Sequence, residues 1–179
     1  SRSSSIATEP SSMPYAKLKA ELLAARDRRE AALREALGDR HRTLLQLSLN
    51  LPGADKQPAG AGALFCWAQD RLRAELPALQ KLTEHSDSLG PWALYAVRVP
   101  ATATKRRTLL LEAAAPAGRL LDIDVYDRRG KACDRKQLGL PQRRCLLCAA
   151  AARDCIRLQR HGAEQLKARI DDLLTPFRA

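Results

Sequence analysis

The sequence predicts an α+β fold, a single domain in which helices pack on a mixed or antiparallel sheet. Three observations carry that expectation. Segments of helical period occupy both ends of the chain, short runs of strand character crowd its middle, and no repeat links them. The composition agrees: 45% of the 179 residues are hydrophobic but only 4% aromatic, so the core must be built mainly from Leu, Ala and Val. That length suits one domain with a sizeable core.

The elements follow in order. Ser1–Pro14 is rich in Ser and Pro without periodicity and reads as a disordered tail or an artificial extension. The domain is expected over residues 15–179. Leu18, Leu22, Ala25, Leu33 and Leu37 recur at helical spacing from Tyr15 to Leu37, and Gly38 is a natural stop. Thr43–Asn50 reads as a strand that ends in the turn Leu51-Pro52-Gly53. Ala63–Leu82 reads as a second helix, ended or kinked by Pro77. Strands are expected at Trp92–Val99, Thr108–Ala113 and Arg119–Tyr126. A hairpin turn at Arg128–Lys131 should lead to a short strand at Ala132–Arg135. Ala-rich Cys145–Arg160 and then Glu164–Leu174 read as closing helices.

Composition narrows the function. The longest apolar run, Cys145–Ala152, is far short of the roughly 18 residues of a membrane helix. Neither a secretory signal nor a disulfide framework shows among the five cysteines, so a cytoplasmic protein without membrane contact is expected. A net charge of +11 implies a negatively charged partner. The basic pairs Arg106/Arg107, Arg128/Arg129 and Arg143/Arg144 are scattered, and aromatics rarely accompany them. A nucleic-acid-binding module is therefore an alternative supported by charge alone.

Asp122 and Asp124 stand two apart in Leu-Asp-Ile-Asp-Val. On a strand both carboxylates share one face, with Leu121, Ile123 and Val125 on the other. Such a pair suits Mg²⁺, a hard cation that takes oxygen ligands and brings phosphates with it. Glu112 would add a third oxygen if its own strand paired beside them. Gly118-Arg119 places a turn and a guanidinium next to that phosphate site. An ordinary strand with one wet face has the same alternation.

Cys145-x₂-Cys148-x₆-Cys155-x₅-His161 has the look of a Cys₃His zinc set. In one straight helix Cys145 and Cys155 would lie about 15 Å apart, whereas zinc needs sulfurs within about 4 to 5 Å. Zinc is compatible only with a helix starting after Cys148. The helical reading, with the thiols as small hydrophobes, is preferred here, and a zinc-stapled interaction domain is a further alternative.

Together, Gly118–Val125 (GRLLDIDV), Leu140–Cys148 (LPQRRCLLC), Cys155 and His161 resemble the apo-citrate lyase phosphoribosyl-dephospho-CoA transferases (CitX, holo-citrate lyase synthase). Leu22-Leu23 with Arg26, Asp27 and Arg29 fits the family's basic N-terminal helix. Ser48, Asn50, Pro52, Gly53 and Lys56 fit its strand-and-turn segment, and Gly90-Pro91 and Glu112 also fall in place. The resemblance covers about Leu22 to His161. It implies a nucleotidyltransferase-like enzyme that attaches 2′-(5″-phosphoribosyl)-3′-dephospho-CoA to a serine of the citrate lyase acyl carrier subunit. The donor would be the 5″-triphosphate, and diphosphate would leave. On that reading Asp122 and Asp124 hold Mg²⁺, and either takes the serine proton. Arg119, Lys56, Arg26, Arg29, Asn50, Arg143 and Arg144 face phosphate oxygens, and the turn at Gly53 offers backbone N–H groups. The family commonly carries His where this chain has Ala115.

Overall fold

The computed structural model describes residues 13–38 and 43–178. Among the described residues, five helices and a four-stranded sheet form in the order α1 (Met13–Gly38), β1 (Thr43–Leu49), α2 (Ala61–Glu75), β2 (Gln80–Asp87), β3 (Gly90–Val97), α3 (Ala101–Ala113), β4 (Leu121–Asp127), α4 (Ala152–Arg157) and α5 (Ala163–Leu174). The tail expected over Ser1–Pro14 lies, as far as Ser12, outside the described residues. None of the described helices is long and apolar enough to cross a membrane.

The sheet order is β2-β3-β1-β4, and every pairing is antiparallel. Side-chain alternation splits the core in two. Leu45, Leu47 and Leu49 of β1, Tyr95 and Val97 of β3, and Leu121, Ile123 and Val125 of β4 point to one face. There they meet Leu64, Phe65 and Leu72 of α2, Leu111 of α3, and Ile170, Leu173 and Leu174 of α5. The opposite face carries Leu44, Trp92, Leu94 and Ala96, covered by Ala32, Leu33, Ala36 and Leu37 of α1. Tyr126 packs beside this patch, and Gln46, Ser48, Asp122 and Asp124 alternate onto the same face beyond it.

Four expected elements differ. Residues 80–82, read as the end of the second helix, instead begin β2, which runs on to Asp87. The expected helix stops at Glu75, just before Pro77, and β2 is a polar edge strand whose sequence shows no apolar alternation. Thr108–Ala113 is the second half of α3 rather than a strand. Thr104, Lys105, Thr108, Leu111 and Glu112 form the buried stripe of that helix, and four of these five are polar. The helix expected over Cys145–Arg160 shrinks to α4. Upstream of it the N–H of Cys145 donates to Ala150 O at 2.7 Å and that of Ala152 to Arg143 O at 2.8 Å, closing a loop instead of a helical turn. The strand expected at Ala132–Arg135 is reduced to a single bridge, Tyr126 with Ala132.

Between α3 and β4 the chain makes a 3₁₀ turn, Pro116–Leu120. A Cβ on Gly118 would stand 2.3 Å from the carbonyl oxygen of Glu112, so only glycine lets this turn lie against the end of α3. The outer edge of β4 is closed by three donors. Arg143 donates to Leu121 O at 2.6 Å, buried Lys105 to Ile123 O at 2.6 Å, and the N–H of Cys133 to Val125 O at 2.7 Å.

Candidate functional site

A cleft of about 380 Å³ opens between α1 and the polar end of the sheet's second face. Asp122 lines it from β4, Ser48 and Asn50 from β1 and the turn after it, Arg26 and Arg29 from α1, and Lys56 from the following loop. The alternation of β4 sets this geometry. Packing Leu121, Ile123 and Val125 into the main core turns Asp122 and Asp124 to the opposite side.

The two carboxylates are weakly compensated. Among the described residues, the cation nearest Asp122 is Arg143, whose Nη1 is 3.9 Å from Oδ1, and the Asp122 side chain is 45% exposed. Asp124 is half-buried. Burial, and next the negative charge of Asp122, raise its carboxyl to about 6. Neither carboxylate is tied into hydrogen bonds to its own backbone, and the cleft opens beside Asp122. Such a pair fits a divalent cation, which would relieve the repulsion.

Glu112 does not join the pair from a neighbouring strand. It sits on α3, buried, with Oε2 accepting from Arg135 Nη2 at 3.1 Å, and its carboxyl is raised chiefly by burial. It faces a second recess of about 250 Å³ walled by Arg119, Arg135, Arg143 and Arg144. Arg143, a wall of this recess, also comes within 3.9 Å of Asp122, a wall of the cleft.

The expected phosphate ligands therefore divide. Arg26, Asn50 and Lys56 stand around the cleft with Asp122. Lys56 donates to Leu51 O at 2.6 Å, and burial, then Arg26, lower its ammonium pKa. Arg29 lines the cleft but is engaged in structure. It donates twice to Asp87, at 2.9 and 2.7 Å, and to Gly90 O at 3.1 Å, with its guanidinium carbon 5.5 Å from the centre of the Trp92 ring. Arg119 donates to the carbonyls of Arg144 and Cys145, and Arg143 to those of Arg119 and Leu121. These reciprocal bonds hold the segment 143–145 against the start of β4. Gly53 takes φ +96° in an exposed turn and is not part of the cleft wall.

Lys105 and Arg135 were not singled out in the sequence. Lys105 lies within a Lys-Arg-Arg run, and its seven-residue spacing from Glu112 becomes one helical face only once α3 is recognised as a helix. Arg135 follows a turn and carries no pattern of its own.

The cysteines form a separate cluster. Cys145 and Cys148 stand on the irregular loop, Cys155 is in α4 and His161 precedes α5, and one ligand atom from each lies within 4.8 Å of the others. Among the described residues this is the group of three or more potential metal ligands that converges. The preferred helical reading of Cys145–Cys155 is thus corrected, because the Cys-Leu-Leu-Cys segment is a turn and the helix starts at Ala152. Although burial alone would raise it, the N–H groups of Leu147 and Cys148 and the neighbouring thiols bring the Cys145 thiol down to about 6.

Comparison with known proteins gives one consistent result. Residues 18–177 match the family described as apo-citrate lyase phosphoribosyl-dephospho-CoA transferase (CitX). A protein of that name from Citrobacter koseri is 33% identical over 159 residues, covering 86% of this chain and 86% of its own. One from Escherichia coli is 34% identical over 159 residues with the same coverage of both chains. A "Probable apo-citrate lyase phosphoribosyl-dephospho-CoA transferase" from Vibrio cholerae is 32% identical over 142 residues, covering 73% of this chain and 76% of its own.

Proposed function

The chain belongs to the apo-citrate lyase phosphoribosyl-dephospho-CoA transferase family, and from that membership we propose that it transfers the phosphoribosyl-dephospho-CoA group to apo-citrate lyase. The acceptor is a serine hydroxyl of the acyl carrier subunit, and the donor is the 5″-triphosphate of the prosthetic group. The serine oxygen attacks the α-phosphorus and forms a phosphodiester. The bond to the β-phosphate oxygen breaks, diphosphate leaves, and the serine proton passes to a carboxylate of the site.

The observation that supports this assignment of residues is the placement of Asp122 on the wall of a cleft ringed by Arg26, Asn50 and Lys56. Phosphoryl transfer needs positioning and charge stabilisation more than covalent help from the protein, and this cleft offers both. Asp122 and Asp124 would hold Mg²⁺, which when bound neutralises triphosphate oxygens as a Lewis acid. Arg26 and Lys56 hold phosphate oxygens by charge-assisted hydrogen bonds. Arg143 and Arg144 wall the recess next door and extend the positive field toward the leaving diphosphate. Asp122, on the cleft wall, and Asp124, two residues on along the same face of β4, are the candidate bases, and one of them accepts the serine proton.

The test uses the purified chain, apo carrier subunit, triphosphoribosyl donor and Mg²⁺. The carrier should gain the mass of one phosphoribosyl-dephospho-CoA group with release of one diphosphate. An unchanged carrier mass, where a known member of the family modifies the same carrier, would overturn the reading. Asp122→Asn and Asp124→Asn should each lower turnover at least 100-fold, roughly the scale of one lost electrostatic or acid–base contribution. Their thermal melts should stay near that of the parent chain. A large loss of stability in both would return the pair to a structural role.

A further inference from the structure

The transfer reaction leaves the cysteine–histidine cluster unused. Two observations mark it as a ligand site rather than a packed group of thiols. Nε2 of His161 is buried without a hydrogen-bond partner, a costly position for an imidazole nitrogen unless something binds it. The loop that carries Cys145 and Cys148 also rejects the helix its alanines favour. Instead, Leu147 N–H is directed at Cys145 Sγ at 3.5 Å, while Cys148 and Cys155 Sγ approach to 3.5 Å. Tetrahedral zinc with Zn–S of about 2.3 Å would set its sulfurs about 3.8 Å apart.

We propose that Cys145, Cys148, Cys155 and His161 bind one structural zinc ion that fixes the loop bearing Arg143 and Arg144 against β4. Three thiolates and an imidazole suit zinc and disfavour magnesium, calcium or manganese. Four protein ligands close the tetrahedron, so no position is left for substrate or water. Binding displaces to solvent the protons that the thiols still carry. The ion joins the loop, α4 and the segment leading into α5, and α5 is itself rooted in the main core by Ile170, Leu173 and Leu174. Arg119, bonded to the carbonyls of Arg144 and Cys145, then carries that anchorage to the turn before β4. Zinc binding here does not depend on the transferase reading.

The experiment measures metal on the full chain purified under reducing conditions without chelator. About one zinc per chain should survive desalting, by inductively coupled plasma mass spectrometry. After chelation, Co²⁺ should give thiolate-to-cobalt charge-transfer absorption and the intense visible bands of a tetrahedral site. Cys155→Ser and His161→Ala should each lower retained zinc at least tenfold, and Cys66→Ser should not. Should those variants fail to fold, the zinc content and cobalt spectrum of the parent chain decide alone. A parent chain that retains no zinc and gives only the weak spectrum of hydrated Co²⁺ would overturn the proposal. So would a Cys148–Cys155 disulfide in the freshly purified protein, or folded variants that keep their zinc.

Discussion

Arg29 shows how a residue picked for ligand binding can be held by the fold. Its guanidinium forms a paired bond to Asp87 across 58 residues of sequence and also donates to Gly90 O, which pins the middle of α1 to the β2–β3 hairpin. Both side chains are at most 10% exposed, so removing one partner strands a buried charge. Asp87→Asn should therefore lower stability by about 3 kcal/mol, the low end for breaking such a pair. Urea unfolding at pH 7 checks it. Although burial alone would raise the Asp87 carboxyl, Arg29 and the Leu89 N–H lower it below its ordinary value. Its contribution is thus complete above the unfolded carboxyl pKa of about 3.9 and is lost as pH falls through the lower folded value. The parent chain should lose stability across that acid window more steeply than the Asn variant. Asp122 and Asp124 were legible because a two-residue period fixes which way a side chain faces. The partner of Arg29 was not, because nothing local in either segment encodes so distant a contact.

Elements were legible where apolar residues marked the buried face, by alternation in β4, by near-continuous runs in β1 and β3, and by helical spacing in the second half of α1. They were misread where polar groups formed that face or where no face was buried. In α3 the run Leu109-Leu110-Leu111 suggested a strand, yet Leu110 is 73% exposed and the helix instead buries Lys105 and Glu112 beside β4. The loop at Cys145 escaped because alanine propensity is weak beside tertiary constraint. Gly118 joins α3 to β4 through contact rather than through an unusual φ. An Ala Cβ would meet Glu112 O at 2.3 Å, C at 2.9 Å and Cα at 3.3 Å, all backbone atoms that cannot rotate aside. Gly118→Ala should accordingly cost about 1–3 kcal/mol, the range for overpacking, and displace the turn that carries Arg119. Thermal unfolding measures the first effect. Reduced turnover at saturating donor, in protein still folded at the assay temperature, reports the second.

For the whole molecule, charge is the property most plainly written in the sequence and the one the fold uses at two distances. Close to the cleft, Arg26 and Lys56 face Asp122, and Arg119, Arg135, Arg143 and Arg144 wall the adjoining recess. Farther out, Lys17, Lys19, Arg28 and Arg34 stand exposed along α1 and contribute to a net charge of +11. If the acceptor is the carrier subunit proposed above and that subunit is acidic, this field would steer it before it docks, and steering acts on encounter more than on chemistry. Salt separates the two distances. The screening length falls from about 10 Å at 0.1 M to about 3 Å at 1 M, which removes attraction between surfaces but acts far less on ions buried in contact. With donor saturating, kcat/KM for the carrier should fall at least tenfold between 50 and 500 mM NaCl, while kcat at saturating carrier changes less than twofold. Replacing Lys17, Lys19, Arg28 and Arg34 by Gln should flatten the salt dependence of kcat/KM and leave kcat unchanged. A kcat/KM independent of salt in the parent chain would mean that the outer charges do not guide the carrier. An equal fall in kcat would place the effect inside the cleft instead.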